Sequence, residues 1–497
     1  MRKNRAVRVS VVVPVHDPGR WITDLLDSLR AQTLDPADFE VVFVDDGSTD
    51  GTPDLLDAAA AESPHFRVIR TPASGWPGRP RNLGIDAARG DYVFLADHDD
   101  RLAPDALERL VDFADERGSD VVIGRIVGVD RPAPTRIFAR TLVDAQEDPG
   151  LLMTSLTPQK LYRRAFLNEH GIRFPEGPRR LEDHVFVTTA YVRARRVSVY
   201  ADSIVYWFVL RDDGGNASRR PIEWAGYYAN AAESVAVVDA EVPDEERRVV
   251  MRSRWLRTEA LSRLRGRRLL GTGDRDGLLA AAGAFVRARY PTAEIDRLPA
   301  PDRLVGRLLL EGREADVVAF AEWEAALTPV VAVTDAEIAG DRLRVSLRAE
   351  PGWSAPLPDA LQALPPDFPA LAELEHLGDL PADAALEADL RRGDGVLVRA
   401  TTTTEAADGV LTGTAAVDLA SGALDGGAWR LRTALTGRSP AAPLVRAPVA
   451  APPVSIGPLR VALAVDAKGR LLLRAERRGA IPAARRLAGR ALRRLRR

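Results

Sequence analysis

The stretch around which this chain is organised reads Tyr92-Val93-Phe94-Leu95-Ala96-Asp97-His98-Asp99-Asp100. Its apolar start, from Tyr92 to Leu95, predicts a buried strand, and three carboxylates follow within four positions. Carboxylates this close repel one another unless a cation lies among them. These residues leave two interpretations open. They form an acidic turn that caps a helix starting near Pro104, or they hold a divalent metal together with the phosphates of a substrate.

The composition is that of an ordinary globular protein with about two to four domains. The 497 residues are 46% hydrophobic and 28% charged, and the formal net charge of −2 gives no reason to expect nucleic-acid binding. The absence of cysteine excludes disulfides, thiol catalysis and cysteine-bound zinc. No apolar run reaches the roughly 18 residues of a membrane-spanning helix, and the run after the basic N-terminus is too short for a signal peptide. We therefore expect a cytoplasmic protein without a membrane span.

Apolar runs alternate with amphipathic segments in the first part of the chain. The β-branched run from Val7 to Val15 is typical of a buried parallel strand, and Trp21 to Gln32 has apolar residues at helical spacing. Thr52 and Pro53 predict a helix start, with Thr52 as the cap. This order predicts an α/β domain with a mostly parallel sheet and helices on both faces. Further strands are predicted at 39–44, 66–70, 92–95 and 121–129, and a helix at 79–89.

Polar segments follow three of the predicted strands at the point where each strand ends. They are Pro14-Val15-His16-Asp17, Asp45-Asp46-Gly47-Ser48 and Asp97-His98-Asp99-Asp100. Parallel sheets bind ligands beyond the carboxyl ends of their strands, so we expect these segments to form one ligand-binding edge. A carboxylate in the second segment can accept hydrogen bonds from a base or a ribose. In the third segment, the histidine is interpreted as a spacer rather than a metal ligand.

Two further polar segments are candidates for substrate contact. The loop from Gly75 to Asn82 runs into a predicted helix and offers Arg79 and Arg81 to a diphosphate. Alternatively, these arginines pair with nearby acids. Glu182 and Asp183 precede an apolar segment, and one of these adjacent carboxylates can take a proton from an acceptor hydroxyl. The alternative for this pair is a helix start that the carboxylates stabilise electrostatically.

The pattern divides the chain into four parts. Residues 1–220 predict the α/β domain and residues 221–328 a helical linker domain. Residues 329–476 predict either one interrupted β-sandwich or two small ones. Residues 477–497 predict a basic amphipathic helix that contacts an anionic membrane surface, here the inner face of the plasma membrane. A solvated tail, or a helix that packs on a partner chain, is the alternative. Strands are predicted at 330–333, 342–348, 395–402, 409–418, 429–435 and 459–465, and the Pro-rich stretches 351–369 and 440–458 predict loops or linkers.

Residues 7 to about 110 resemble the family 2 glycosyltransferases, whose GT-A fold binds nucleotide-diphosphate sugars. One branch of that family is similar over further segments, namely the wall teichoic acid N-acetylglucosaminyltransferases that modify poly(ribitol phosphate). The motifs shared with the family are Val11-Val12-Val13-Pro14, Val44-Asp45-Asp46-Gly47-Ser48-Thr49-Asp50, Arg81-Asn82-Leu83-Gly84 and Asp97-His98-Asp99-Asp100. The segments shared with the branch are Ser74 to Asn82, Leu156 to Tyr162, Phe174-Pro175-Glu176 and Glu182-Asp183.

The resemblance implies an inverting transferase that moves N-acetylglucosamine from its UDP-sugar to a hydroxyl of an anionic cell-surface polymer. It also implies a Mn²⁺ or Mg²⁺ cofactor, a helical linker, and C-terminal immunoglobulin-like β-domains that assemble a homotrimer. The site residues follow from their positions in the motifs. Pro14, Val15 and Asp46 would hold the uridine, Arg81 would contact the sugar nucleotide, and Arg254 would contact the diphosphate. Asp99 would bind the metal, and Asp97 would lie near the metal and the ribose. Asp183 would be the catalytic base, with Glu182 beside it.

The chain departs from the family pattern at three positions. His16 stands where an aromatic residue is frequent, Ala73 where an asparagine helps to bind the nucleotide, and Asn216 where a histidine often lies near the diphosphate. These departures leave the donor base and sugar open, and another surface or capsular glycan is an alternative acceptor. A nucleotidyltransferase is a weaker alternative, because Pro14 to Gly19 contains no Gly-rich phosphate loop. The intact acidic motifs argue against a non-catalytic assembly protein.

Overall fold

The computed structural model describes most of the first two thirds of the chain and separate segments of the last third. The chain forms two compact units, one of residues 1–322 with 363–371 and the other of residues 323–362 with 372–497. The predicted basic tail after Arg477, and Asn216, lie outside the described residues. The described residues are 7–129, 131–211, 213, 221–326, 330–350, 357–365, 368, 386–392, 397–407, 410–419, 427–435, 444–445, 454–456, 459–465 and 471–477.

The first unit contains an eight-stranded, mostly parallel sheet, as predicted. Its strand order is β3-β2-β1-β4-β7-β6-β8-β5. The neighbours β3, β2, β1 and β4 are parallel to one another, and so are β6 and β8. Strand β7 is antiparallel to both β4 and β6, and β5 is antiparallel to β8. The strands are β1 Val9–Val15, β2 Phe39–Asp46, β3 Phe66–Thr71, β4 Tyr92–Leu95, β5 Arg101–Leu102, β6 Val121–Val129, β7 Leu161–Arg163 and β8 Val197–Val209.

The register of the central strands brings the polar segments to one edge. Every residue of β1 and β2 is buried, as expected of parallel strands covered on both faces. Pro14 of β1 lies opposite Val44 of β2. On the other side of β1, the Ala96 N–H after β4 donates to the Val12 carbonyl at 3.1 Å. The chain following each of these three strands therefore leaves the sheet at the same end.

The first three helices of this domain lie close to their predicted positions, whereas the short helices α5 and α6 were not predicted. In α1, the apolar residues Ile22, Leu25, Leu26 and Leu29 are buried, which is the repeat of a helix with one face on a core. The cap of α2 differs from the prediction, because Gly51 is the N-cap and Thr52 is the first helical residue. The carboxylate of Asp50 accepts a hydrogen bond from the Thr52 N–H instead. The helices are α1 Ile22–Arg30, α2 Thr52–Glu62, α3 Gly78–Ala87, α4 Ala106–Arg117, α5 Pro149–Leu152, α6 Arg164–Glu169 and α7 Glu182–Arg193.

The predicted helical linker is confirmed, and it belongs to the same compact unit as the α/β domain. Helix α8 packs against α7 of the α/β domain. After α9 the chain forms a π-helical turn, Trp255–Ala260, and a 3₁₀ turn, Leu261–Leu264. The helices are α8 Trp224–Glu241, α9 Glu245–Arg254, α10 Gly266–Leu270, α11 Arg275–Arg289, α12 Thr292–Asp296, α13 Ala300–Leu310 and α14 Glu314–Ala326.

Two sheets form the second unit. One has the order β13-β14-β10-β9-β16 and the other β12-β11-β15-β19-β18-β17. All neighbours are antiparallel except β16 and β9. Buried residues of both sheets share one apolar cluster that includes Val345, Val417, Trp429 and Leu473. The strands are β9 Val330–Ala339, β10 Arg342–Glu350, β11 Leu386–Arg392, β12 Leu397–Arg399, β13 Thr401–Ala407, β14 Val410–Asp418, β15 Gly427–Leu435, β16 Leu444–Val445, β17 Val454–Ile456, β18 Leu459–Val465 and β19 Leu471–Arg477.

The sequence missed several elements of the second unit. Strand β11 carries acidic and basic residues that disfavour strands, yet its Leu386 and Leu390 are buried in the shared cluster. The Pro-rich stretches are not entirely loops, because they contain the short helix α15 Asp359–Gln362 and the strands β16 and β17. In the part of the chain that the structure describes, no helix combines the length and apolar character needed to cross a bilayer.

Candidate active site

A cavity of about 740 Å³ lies at the carboxyl edge of the first sheet. Its wall combines the ends of β1 and β2, the loop before α3, the turn after β4, the start of α7 and part of the linker. Of the residues that the sequence predicted to contact substrate or metal, Arg79 and Arg254 do not line this cavity, and the others do. They are Pro14, Val15, Asp46, Arg81, Asp97, Asp99, Glu182 and Asp183.

The guanidinium of Arg81 joins two acidic segments that lie far apart in sequence. Its Nη2 donates to Asp97 Oδ1 at 2.9 Å, and its Nη1 donates to Glu182 Oε1 at 3.0 Å. The residue is only 5% exposed. Burial alone would lower the pKa of Arg81, but Asp97 and Glu182 outweigh it and raise that pKa. Arg81 therefore stays charged and holds helix α3, the turn after β4 and helix α7 together.

The carboxylate of Glu182 is fully engaged by neighbouring side chains. Besides the bond from Arg81, its Oε2 accepts a hydrogen bond from Trp76 Nε1 at 2.8 Å. Burial and the neighbouring Asp183 raise the pKa of Glu182, and Arg81 opposes that rise. Both carboxylate oxygens of Glu182 are therefore occupied before any substrate binds, and through them Glu182 fixes Arg81 and the loop that carries Trp76.

The carboxylate of Asp183 lies at the cavity wall in the first turn of α7. Its Oδ1 accepts a hydrogen bond from the His184 N–H at 2.9 Å. Burial raises the pKa of Asp183 to about 6, although Arg81 acts in the opposite direction. A base with a pKa near the working pH is suited to take a proton from a substrate hydroxyl. Of the two adjacent carboxylates, Asp183 therefore has the better environment for proton transfer.

The three carboxylates after β4 have different environments. Asp97 accepts hydrogen bonds from Arg81 and, at 2.6 Å, from Gln159 Nε2. Asp99 lines the cavity, and its pKa is raised by burial and by Asp97, against the effect of His98. Asp100 is buried and accepts hydrogen bonds from Tyr206 Oη and the Val209 N–H, both at 2.7 Å. The third carboxylate therefore stabilises the turn, and the first two face the cavity.

The site can hold a divalent cation only if a second group, such as the phosphates of a substrate, supplies further ligands. Within the described residues, no three histidine or carboxylate side chains stand together so as to hold a metal by themselves. Magnesium-type ions, however, commonly use one or two carboxylates together with the phosphates of a substrate. Burial and, to a lesser degree, the neighbouring Asp97 raise the pKa of Asp99, and a bound cation would favour its ionised form. Both Asp97 and Asp99 line the cavity, and Asp97 also accepts bonds from Arg81 and Gln159.

Both histidines of the predicted edge bind backbone carbonyls. His98 Nδ1 lies 3.1 Å from the Pro14 carbonyl and so ties the acidic turn to β1. His98 is therefore more than the spacer that the sequence predicted. His16 Nδ1 lies 2.9 Å from the Asp46 carbonyl. The Asp46 carboxylate accepts bonds from Ser74 N at 3.0 Å and Ser74 Oγ at 2.7 Å, which secures the loop before α3.

Several cavity residues were not found from the sequence. Arg254 pairs with Glu259 Oε1 at 2.8 Å and does not line the cavity, whereas Glu259 and Arg263 of the same linker do. The role predicted for Arg254 stays a prediction. No motif marks these linker residues, because they reach the cavity through packing between domains. Only Gln159 lay within a segment singled out by resemblance. The missed cavity residues are Arg131, Gln159, Arg180, Arg211, Tyr227, Glu259 and Arg263.

Backbone strain also concentrates at this site. Among the described residues, Asp17 and Leu181 are the non-glycine positions with positive φ, at 41° and 62°. Both line the cavity. Leu181 is also the N-cap of α7 and makes no side-chain capping bond. Strained backbone of this kind tends to persist at functional sites, where surrounding contacts enforce it.

Comparison with protein families identifies the domains of the first unit. Residues 10–201 match the model of glycosyl transferase family 2, and residues 224–321 match that of the glycosyl transferase TarS linker domain. The chain therefore carries a family 2 glycosyltransferase domain followed by a TarS-type linker domain.

Individual relatives and solved structures agree with this assignment. The poly(ribitol-phosphate) beta-glucosyltransferase of Bacillus spizizenii is 34% identical over 252 residues, which cover 50% of this chain and 40% of the relative. The poly(ribitol-phosphate) beta-N-acetylglucosaminyltransferase TarS of Staphylococcus aureus strain MW2 is 30% identical over 286 residues, 57% of this chain and 50% of the relative. The chain thus spans about half the length of these relatives or less.

Two structures of S. aureus TarS are similar to this one. Residues 1–349 of TarS in complex with UDP-GlcNAc align with a TM-score of 0.60 and 26% identity, covering 68% of this chain and 96% of that one. A longer TarS structure aligns with a TM-score of 0.58 over 96% of this chain and 86% of that one. At 19% identity, the second likeness concerns the fold alone.

We expect Tyr206→Phe to destabilise the protein measurably. The buried Tyr206 hydroxyl accepts from the Asp97 N–H at 2.9 Å and donates to Asp100. Without it, two buried polar groups lose a partner, which costs about 1–3 kcal/mol of the free energy of unfolding. Urea denaturation measures this loss. The control Tyr92→Phe should cost less, because its partner Asp115 is 52% exposed and can turn to water. Equal losses in the two variants would contradict the structural role of Tyr206.

Proposed function

We propose that this protein is an inverting glycosyltransferase that moves a sugar from a UDP-sugar to a hydroxyl of an anionic cell-surface polymer such as poly(ribitol phosphate). The observation that carries the proposal is the placement of Asp183, Arg81 and Asp99 on one cavity wall. These residues supply a base with a pKa of about 6, a buried cation and a carboxylate for a metal. The family 2 domain and the TarS-type linker support the same activity.

The proposed reaction is a single displacement at the anomeric carbon. Asp183 takes the proton of the acceptor hydroxyl while that oxygen attacks the anomeric carbon from the face opposite the diphosphate. A new carbon–oxygen bond forms as the bond from the anomeric carbon to the diphosphate oxygen breaks, and UDP leaves with the bonding electrons. The configuration inverts, so an α-linked donor gives a β-glycoside. Positioning in the cavity and charge stabilisation supply most of the acceleration.

We propose Mn²⁺ or Mg²⁺ as the cofactor, held by Asp99 with Asp97 beside it. When bound, such an ion neutralises charge that develops on the departing diphosphate. Arg81 holds Asp97 in place and adds positive charge behind the site. In the same proposal, Pro14, Val15 and Asp46 form the uridine side of the cavity, since they follow β1 and β2 at its wall.

Donor binding is the first test of this proposal. UDP-GlcNAc is favoured by the TarS complex and UDP-glucose by the Bacillus relative. Calorimetry with UDP-, GDP-, CDP- and dTDP-sugars, each with and without Mn²⁺, should show metal-dependent binding of one UDP-sugar. Asp99→Ala should abolish that binding, whereas Asp86→Ala should retain it, because Asp86 is 59% exposed in a surface ion pair with Arg173. Binding of no sugar nucleotide would refute the proposal.

Turnover should depend on the ionised carboxylate of Asp183. Because burial raises the pKa of Asp183 to about 6, kcat/KM should fall as the pH is lowered through about 6, where the base becomes protonated. Asp183→Asn should lower kcat by about 10²–10⁴-fold and leave donor binding intact. The surface variant Asp86→Asn serves as the matched control and should keep full activity. An Asp183→Asn enzyme with full turnover would eliminate Asp183 as the base.

The acceptor is proposed to be an anionic polymer because the relatives described above are poly(ribitol-phosphate) transferases. Arginines and carboxylates share the cavity wall, and arginines such as Arg131 and Arg263 can bind phosphate oxygens of the donor or of such a polymer. Transfer of radiolabelled sugar to poly(ribitol phosphate) tests this assignment. Transfer only to a neutral capsular glycan would support the alternative acceptor.

We further propose that the two C-terminal sheets form an immunoglobulin-like sandwich that assembles a homotrimer. The shared apolar cluster of the two sheets supports the sandwich, and the family resemblance of the sequence supports the trimer. Sedimentation equilibrium at micromolar concentration should give three times the monomer mass of 54.0 kDa. A monomer under these conditions would overturn the trimer.

A cytoplasmic location with peripheral membrane contact is also proposed. The basic tail, residues 477–497, supports the membrane contact through its arginines, which suit an anionic lipid surface. Flotation with anionic liposomes should show binding that disappears when residues 480–497 are deleted. Unchanged binding after deletion would remove this support.

A further inference from the structure

A contact from the linker lies directly behind Asp183. Trp255, the first residue of the π-helical turn, is fully buried. Its Nε1 donates to His184 Nδ1 at 3.2 Å, and the two rings meet edge-on with centroids 6.3 Å apart. His184, which is 8% exposed, follows Asp183 in the first turn of α7. One buried hydrogen bond thus connects the linker to the residue next to the proposed base.

The hydrogen bond fixes the protonation state of His184. An indole N–H can only donate, so His184 Nδ1 accepts and the ring is neutral, with its proton on Nε2. Burial lowers the pKa of His184 to about 4, and Arg254 of the linker acts in the same direction. Arg263 also lowers that pKa, whereas Glu259 and Glu182 raise it. The contact therefore persists unchanged at neutral pH.

The first turn of α7 begins without a side-chain cap. Its N-cap, Leu181, has a φ of 62° and provides no side-chain capping bond. A missing cap and a left-handed residue both weaken a helix start. The Trp255 contact reaches this turn from outside the helix, in addition to the bonds that Trp76 and Arg81 donate to Glu182.

The π-helical turn brings two residues of the linker to the site. It carries Trp255 to His184 and Glu259 to the cavity wall. Glu259 is paired with Arg254 and with Arg263, at 2.8 Å and 3.0 Å. π-Helical turns are rare and frequently mark functional sites. Here the wider turn brings both an indole donor and a charged cluster to the back of the active site.

We infer that Trp255 is a positioning residue of the proposed transferase, whose hydrogen bond to His184 fixes the first turn of α7 and thereby aims the carboxylate of Asp183 at the acceptor hydroxyl. This inference rests on the proposed function, in which Asp183 is the base. Misplacing a reacting group by about 1 Å can cost about a hundredfold in rate. The effect is therefore expected on kcat and not on donor affinity.

The direct test is Trp255→Phe in the full-length protein. The variant keeps an aromatic side chain, although a smaller one, and removes the N–H. We expect kcat to fall by about tenfold or more while the Kd for the UDP-sugar stays within about twofold. The matched control is Tyr290→Phe, which removes another buried linker hydrogen bond, from Tyr290 Oη to the Arg252 carbonyl. A kcat for Trp255→Phe equal to that of Tyr290→Phe would overturn the inference.

Variants of His184 test the same bond from the acceptor side. His184→Asn keeps an acceptor atom near the position of Nδ1 and should retain more activity than His184→Leu, which has none. In the His184→Leu background, Trp255→Phe should cause no further loss of kcat, since the bond is already absent. Additive losses would mean that Trp255 acts by another route and would also overturn the inference.

Failure of the inference can be told apart from failure of the proposed function. Full turnover in Asp183→Asn would remove the base itself, whatever Trp255 does. Loss of turnover in Asp183→Asn together with full turnover in Trp255→Phe would retain the proposed function and reject only the positioning role.

Discussion

The site depends on one buried guanidinium, that of Arg81, held between Asp97 and Glu182. Without this cation, carboxylates from two distant segments would face each other and Asp183 in a buried space, and their repulsion would drive the segments apart. The position of Arg81 depends in turn on close packing of α3 against β1. A Cβ on Gly84 would lie only 2.2 Å from Val12 Cγ1, so glycine is required for this approach.

Burial and charge separate acids that look equivalent in sequence. Burial raises the pKa of Asp183 and Arg81 lowers it, and the resulting pKa is about 6. Its neighbour Glu182 binds Arg81 and Trp76 instead. Asp99 faces the cavity, whereas Asp100, one residue later, is bound by Tyr206 inside the fold. Divergent environments of this kind are how a cluster of carboxylates comes to hold distinct roles.

The sequence predicted those parts of the fold and site whose signal lies within a short run of consecutive residues. The β-branched run of β1 and the acidic ends of the strands identified the sheet edge, because both signals lie within a few consecutive residues. Arg263, which lines the cavity, and Trp255, which contacts His184 behind it, could not be found in this way. Both reach these positions only through packing of the linker on the α/β domain. Strand β11 was missed because charged residues interrupt the apolar pattern of Leu386–Arg392, although its leucines are buried in the shared cluster.

The boundary predicted at residues 220 and 221 separates two sequence patterns, but it does not separate two structural units. The linker and the α/β domain belong to one compact unit. Trp255 is fully buried where it meets His184, and Glu259 and Arg263 form part of the cavity wall. If the linker were removed, the first turn of α7 would lose the hydrogen bond from Trp255, and the cavity would lose the part of its wall that the linker forms. A linker that completes a cavity in this way is better regarded as part of the catalytic unit than as a spacer between domains.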